Sequence, residues 1–118
     1  MALWLVRRLP EGARILVSPA RRAQHTAQAL GRRARTNDAI APGGGVDALL
    51  AAAHWPRADA TMVIVGHQPT LGLVVARLLA GDERSWTIRK GAVWWLRHRV
   101  RGCQAQIVLE AVQAPGFV

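Results

Sequence analysis

The chain has 118 residues, of which 51% are hydrophobic, so it is long and apolar enough for one packed domain and is not a disordered tail. Its net charge of +9 rests on arginine, with Lys90 the single lysine, and leaves open binding to nucleic acid or to a compact anion at one site; a GC-rich genome also inflates arginine, so composition alone does not decide. The lone Cys103 excludes an internal disulfide and a cysteine metal cluster and suits a reducing cytoplasm, and no apolar run is long enough to span a membrane.

In chain order, residues 1–9 read as a helix or the tail of one. "ARILVS" (13–18) reads as a buried strand. A helix is expected from Pro19, with Ala20, Ala23, Ala27 and Leu30 at helical spacing, Ser18 as its N-cap and Pro19 at its first position. "PGGG" (42–45) is a loop, and residues 46–53 form a short helix. "TMVIVG" (61–66) is a second buried strand, with Gly66 expected to let the chain turn sharply. Residues 70–79 form a helix with Leu71, Val74, Val75 and Leu78 on one face, stopped by Gly81. "GAVWWL" (91–96) and "AQIVLEAV" (105–112) read as strands of a hairpin turning near Arg101 and Gly102. No linker divides the chain, so residues 1–118 form a single α/β layered domain. Its mostly parallel sheet is flanked by helices and carries a C-terminal antiparallel hairpin.

Two strand-to-helix junctions stand out, because ligands of open α/β sheets collect beyond the carboxyl ends of the strands. In "LVSPARRAQHT", Arg21 and Arg22 fall in the first turn of a helix whose N-terminus is already partly positive. A bound anion would resolve that conflict; two solvated arginines would tolerate it. In "VIVGHQPTL", His67 follows the strand end and can donate to an oxyanion or cap a backbone carbonyl. Other features are mundane. "GGG" (43–45) lacks the Gly-Lys-Ser/Thr of a P-loop, and Trp94 and Trp95 are packing residues on opposite strand faces. His54 ends a helix, and the histidines have no metal-ligand spacing.

"LVSPARRAQHTAQAL" resembles the "SP-x-x-R-A-x-Q-T-A" element of the histidine phosphatase superfamily, and "VIVGHQPTLG" resembles its "V-x-H-x-P" element. "RLPEGARILVSP", "GGGVDALL" and "KGAVWWL" are most similar to the small SixA-type phosphohistidine phosphatases. The resemblance covers essentially the whole chain. It implies a phosphoglycerate mutase-like fold in which Arg22 and His67 are two of the four charged residues of a phosphate pocket. Arg21 is Arg22's less certain neighbour, and His25, where the family often has glutamine, receives no catalytic role. The implied partner is a phosphohistidine-bearing protein, such as a histidine phosphotransfer domain or a phosphocarrier. Neither metal nor cofactor is implied.

The remaining two pocket residues should form an "R-H-G" or "R-H-A" tripeptide whose histidine attacks phosphorus. The sequence contains no such tripeptide. Its only Arg-His pair, Arg97 and His98, falls in a C-terminal strand with side chains expected to face solvent. Arg8 in "LWLVRR" lies too close to Ile15 to stand in for it. The chain is therefore expected to be N-terminally shortened, without the family's first strand and inactive as it stands. No acid that would protonate an alkoxide is evident. Asp38 lies in the plausible region of the chain, but "TNDAIAPGGG" does not match the acid-bearing loop. A phosphohistidine substrate fits this, since imidazole leaves easily. The missing strand also predicts self-association through residues 1–9 or exposed strand edges. The alternative from another class is a non-enzymatic basic module binding anions or nucleic acid.

Overall fold

The computed structural model describes residues 1–117. Three parallel strands lie in the order β2-β1-β3: β1 at Arg14–Val17, β2 at Ala34–Thr36 and β3 at Met62–Val65. Helices α1 (Ala2–Val6), α2 (Arg21–Gln28), α3 (Val46–Ala52) and α4 (Thr70–Ala80) flank them. Strands β4 (Val93–Arg101) and β5 (Gln104–Gln113) pair antiparallel as a sheet of their own.

The apolar run of β1 is covered on both faces, as a central parallel strand requires. Ile15 packs with Leu5, Leu9 and Leu30. Val17 packs with Ala23 and Ala27, whose small side chains four residues apart bring α2 close to the sheet. Leu16 points the other way, into Ile40, Val46, Leu49 and Val74. The result is a three-layer arrangement, with α1 and α2 on one side and α3 and α4 on the other.

β1 and β3 pair directly, from Arg14 opposite Met62 to Val17 opposite Val65, so no gap separates 13–18 from 61–66. The other edge of β3 carries no ladder among the described residues, and all four of its residues are partly exposed. The segment "MALWLV" is used inside its own chain. Leu5 and Leu9 bridge the parallel sheet, through Ile15, Val63 and Val65, to Val93 and Trp95 of the hairpin. Arg32 fixes that helix by donating to the carbonyls of Pro10 at 2.7 Å, Leu9 at 3.2 Å and Val6 at 3.3 Å. The Arg8 guanidinium, just past α1, sits 4.4 Å from the Trp4 ring, a cation–π contact back onto the helix.

Several boundaries differ from the sequence expectation. α2 begins at Arg21 with Ala20 as its N-cap, not at Pro19 with Ser18 capping, because Ala20 is still extended, at φ −64° and ψ 143°. β2 was not expected: "ART" is short and polar, and only pairing with β1 makes it a strand. β4 runs on through Arg97 and His98 to Arg101, and the hairpin turns at Gly102 and Cys103, with Gly102 at φ 61°. Gly66 does not take a left-handed conformation, so the chain leaves β3 without needing glycine there. Gly81 does end α4 in one, at φ 86°.

The segment after α4 returns across that helix to reach the hairpin. Its backbone passes so close that a Cβ on Gly72 would lie 1.8 Å from the Trp86 carbonyl oxygen. Gln68 clamps the crossing: its Oε1 accepts from Gly72 N at 2.8 Å and its Nε2 donates to Trp86 O at 3.0 Å. Trp86 in turn packs on Trp94. On the far side, Arg77 of α4 pairs with Asp47 of α3 and with Glu83. The hydrogen bond and charge of Asp47 raise the Arg77 guanidinium above its ordinary value.

Two substitutions test this architecture. Leu5→Ala should cost about 2–5 kcal/mol in urea unfolding, since α1 belongs to the core, whereas Leu3→Ala at a 62% exposed site should change little. Gly72→Ala should destabilise by about 1–3 kcal/mol: a clash with backbone outweighs the gain of about 1 kcal/mol in helix propensity. Gly12→Ala, where nothing lies within 4 Å of the added methyl, is its control.

Candidate functional site

Parallel strands end at one edge of the sheet, and that edge brings the two singled-out junctions together. The β1–β3 ladder continues one residue further, with Ser18 N donating to Val65 O at 3.0 Å. Two residues on from Val65, His67 turns its ring onto Ser18, with Nε2 and Ser18 Oγ 2.6 Å apart. Ser18 is completely buried, whereas His67 is half-buried. Ser18 Oγ also accepts from Ala20 N at 3.2 Å, a local turn that leads into the start of α2.

Gln24 of α2 holds the same corner. Its Nε2 donates to the Ser18 carbonyl and to Thr36 Oγ1, each at 2.9 Å, so it ties the ends of β1 and β2 to the helix. Asn37 N donates to Val17 O at 2.9 Å and closes the rim beyond β2. On the other side of His67, Leu71 N donates to the His67 carbonyl at 2.9 Å, which fixes the histidine to the start of α4. Thr70 Oγ1 donates to Gly44 O at 2.7 Å, so the glycine loop docks there too. A Cβ on Gly44 would lie 2.8 Å from the Ala39 carbonyl oxygen, which accounts for glycine at that position by packing.

Arg21 and Arg22 are the first two residues of α2, both exposed. Among the described residues neither guanidinium has a hydrogen-bond or ion-pair partner, and the first turn of α2 holds no acidic residue. The structure therefore brings Ser18 to His67 directly, and sets both arginines at the start of the helix that follows Ser18, without a hydrogen bond to His67. The edge combines two unneutralised guanidiniums, a helix N-terminus and one imidazole, a donor set suited to a small oxyanion.

The other candidate residues lie apart from this edge. His25 and Asp38 are exposed, Asp38 in a one-turn helix capped by Asn37 Oδ1 on Ala39 N. Arg97 pairs with Glu110 at 2.7 Å. His98 does not face solvent as the sequence suggested. It is half-buried and packs edge-on against Trp55, with ring centroids 5.9 Å apart. His54 sits just past α3 with φ 55°, and Trp95 and Trp94 point to opposite faces, into the α1 cluster and onto Trp86. Sequence reasoning missed three residues. Ser18 was read as a cap, and Gln24 and Gln68 were given no role. A hint lay in their positions, since each glutamine falls within a few residues of a strand end at a strand-to-helix junction.

No protein-family model matches the chain, and no curated protein does. Among solved structures, the chain is similar to a "Putative Phosphohistidine Phosphatase SixA" from Nakamurella multipartitia. The TM-score is 0.71 at 28% sequence identity, over 97% of this chain and 77% of that one. A three-stranded parallel sheet, a separate antiparallel hairpin and flanking helices thus form an α/β fold matching that neighbour, and the likeness supports the histidine phosphatase superfamily for this chain.

Proposed function

We propose that this chain carries the phosphate-binding half of a phosphohistidine phosphatase site, with Arg22 and His67 contacting a phosphoryl group and Arg21 beside them. The observation that carries the reading is the 2.6 Å contact between Ser18 and His67, which makes "SPARR" and "VGHQP" parts of one sheet edge. The guanidiniums at the start of α2, unpaired among the described residues, and the similarity to the Nakamurella protein support it.

The chemistry follows from charge. A phosphoryl group in transfer spreads negative charge over its equatorial oxygens, and arginine forks and an imidazole N–H hold and neutralise them. These groups position the phosphorus but do not attack it. Ser18, the one hydroxyl bonded to His67 among the described residues, is fully buried and cannot reach a substrate. The sequence has no Arg-His pair followed by Gly or Ala, and Arg97 and His98 are committed to Glu110 and Trp55. The substrate class is phosphohistidine on a phosphotransfer domain or phosphocarrier, since imidazole leaves without the carboxylic acid that an alcohol requires. Such partners imply a cytoplasmic setting.

Two outcomes follow. The 118-residue chain should show no steady-state hydrolysis of phosphohistidine or aryl phosphate. Turnover that vanishes in Arg22→Ala would overturn this, by revealing a nucleophile within the chain. Inorganic phosphate should still bind, shifting the NMR signals of Arg22 and His67. Arg22→Ala should weaken that binding about 10- to 100-fold, from the roughly 1.5–3 kcal/mol of a charged hydrogen bond. Signals unmoved by phosphate, together with salt-steep RNA binding, would return the reading to a basic nucleic-acid module.

A further inference from the structure

A serine hydroxyl offers one hydrogen and two lone pairs. At Ser18 one lone pair is taken by Ala20 N–H, at 3.2 Å. For the hydrogen, His67 Nε2 at 2.6 Å is the one acceptor bonded to Oγ among the described residues. Ser18 has no exposed surface, so bulk water does not serve instead. Were Nε2 to carry a proton, two N–H groups would converge on Oγ and the hydroxyl hydrogen would be buried without an acceptor. Buried polar groups are rarely left in that condition. Gln24 removes the obvious escape, a rotation of the whole Ser18 turn, by holding the Ser18 carbonyl at 2.9 Å.

We infer that Ser18 donates its hydroxyl hydrogen to His67 Nε2 and is thereby a positioning residue that holds the neutral imidazole in the tautomer protonated on Nδ1. The ring is then locked at one nitrogen and presents the other, which has no protein partner among the described residues, as an N–H donor. His67 supplies that donor without first becoming charged, so the edge can hold an oxyanion with a neutral imidazole. The last clause rests on the phosphate-binding reading above; the tautomer does not.

The test is a long-range proton–nitrogen correlation spectrum of the full chain, uniformly labelled with nitrogen-15, at a pH where His67 is neutral. Nε2 should resonate at the unprotonated, hydrogen-bonded position and Nδ1 at the protonated one. In Ser18→Ala both signals should move toward the average of the two tautomers. Ser18→Thr, which keeps the hydroxyl, should restore the wild-type pattern. A protonated Nε2 in the wild type overturns the inference, as does a Ser18→Ala spectrum that keeps the wild-type tautomer. Should Ser18→Ala fail to fold, the wild-type spectrum and Ser18→Thr decide. Adding inorganic phosphate separates the two readings. A fixed tautomer whose Nδ1 signal shifts upholds both, whereas a fixed tautomer unmoved by phosphate upholds the role of Ser18 and overturns the phosphate pocket.

Discussion

The direct parallel pairing of β1 with β3 is the constraint on which the rest of the molecule depends. Parallel strands share a direction, so their carboxyl ends emerge together, and the helices that return the chain must lie on the faces. The register, with Val17 opposite Val65, decides which residues meet beyond the sheet. One further ladder bond, from Ser18 N to Val65 O, sets Ser18 where the His67 ring can reach it. A slip of β1 by one residue would turn Val17 away from Ala23 and Ala27 and carry Ser18 off His67. Burial resists such a slip: Ile15, Leu16 and Val17 are each worth about 1.5–3 kcal/mol when removed from water.

Two glutamines do equivalent work on either side of this edge. Gln24 lies in α2 and Gln68 just before α4. Each uses its amide to hold backbone near the start of its helix and to catch a segment arriving from elsewhere. Gln24 joins the Ser18 carbonyl to Thr36 at the end of β2. Gln68 joins the Gly72 amide to the Trp86 carbonyl of the segment leading to the hairpin. Gln24 donates both bonds from its Nε2 and Gln68 uses its donor and its acceptor, and a neutral amide makes either bridge without adding charge to an edge already rich in arginine. Gly72 is the complement of this clamp, since the Trp86 backbone passes where any side chain would stand.

Arginine is distributed between structural and unoccupied roles. Arg32 satisfies three carbonyls around the end of α1, Arg77 bridges Asp47 and Glu83, and Arg97 and Arg84 pair with Glu110 and Asp82. The exposed pairs add little stability each. Against that background Arg21 and Arg22 are distinctive for their position. They stand at the positive end of α2, in the helix that follows the buried Ser18, with no carboxylate paired to them among the described residues.

The sequence by itself determined the alternation of strands and helices. The apolar runs at 13–18 and 61–66 and the helical spacing of Leu71, Val74, Val75 and Leu78 are local patterns, and burial on two faces or one writes them directly into composition. It also singled out both junctions, because charged or titratable residues at strand ends contrast with apolar neighbours. The tertiary structure alone decided what those residues touch. "ART" becomes a strand only through the hydrogen bonds β1 offers it. Ser18 reads as a helix cap, but α2 starts at Arg21 and the serine's hydroxyl meets a histidine 49 positions away. His98 reads as solvent-facing until Trp55 arrives against it. Each is a pairing between segments distant in the chain, and no local propensity encodes which distant partner will meet a given hydroxyl, ring or strand edge.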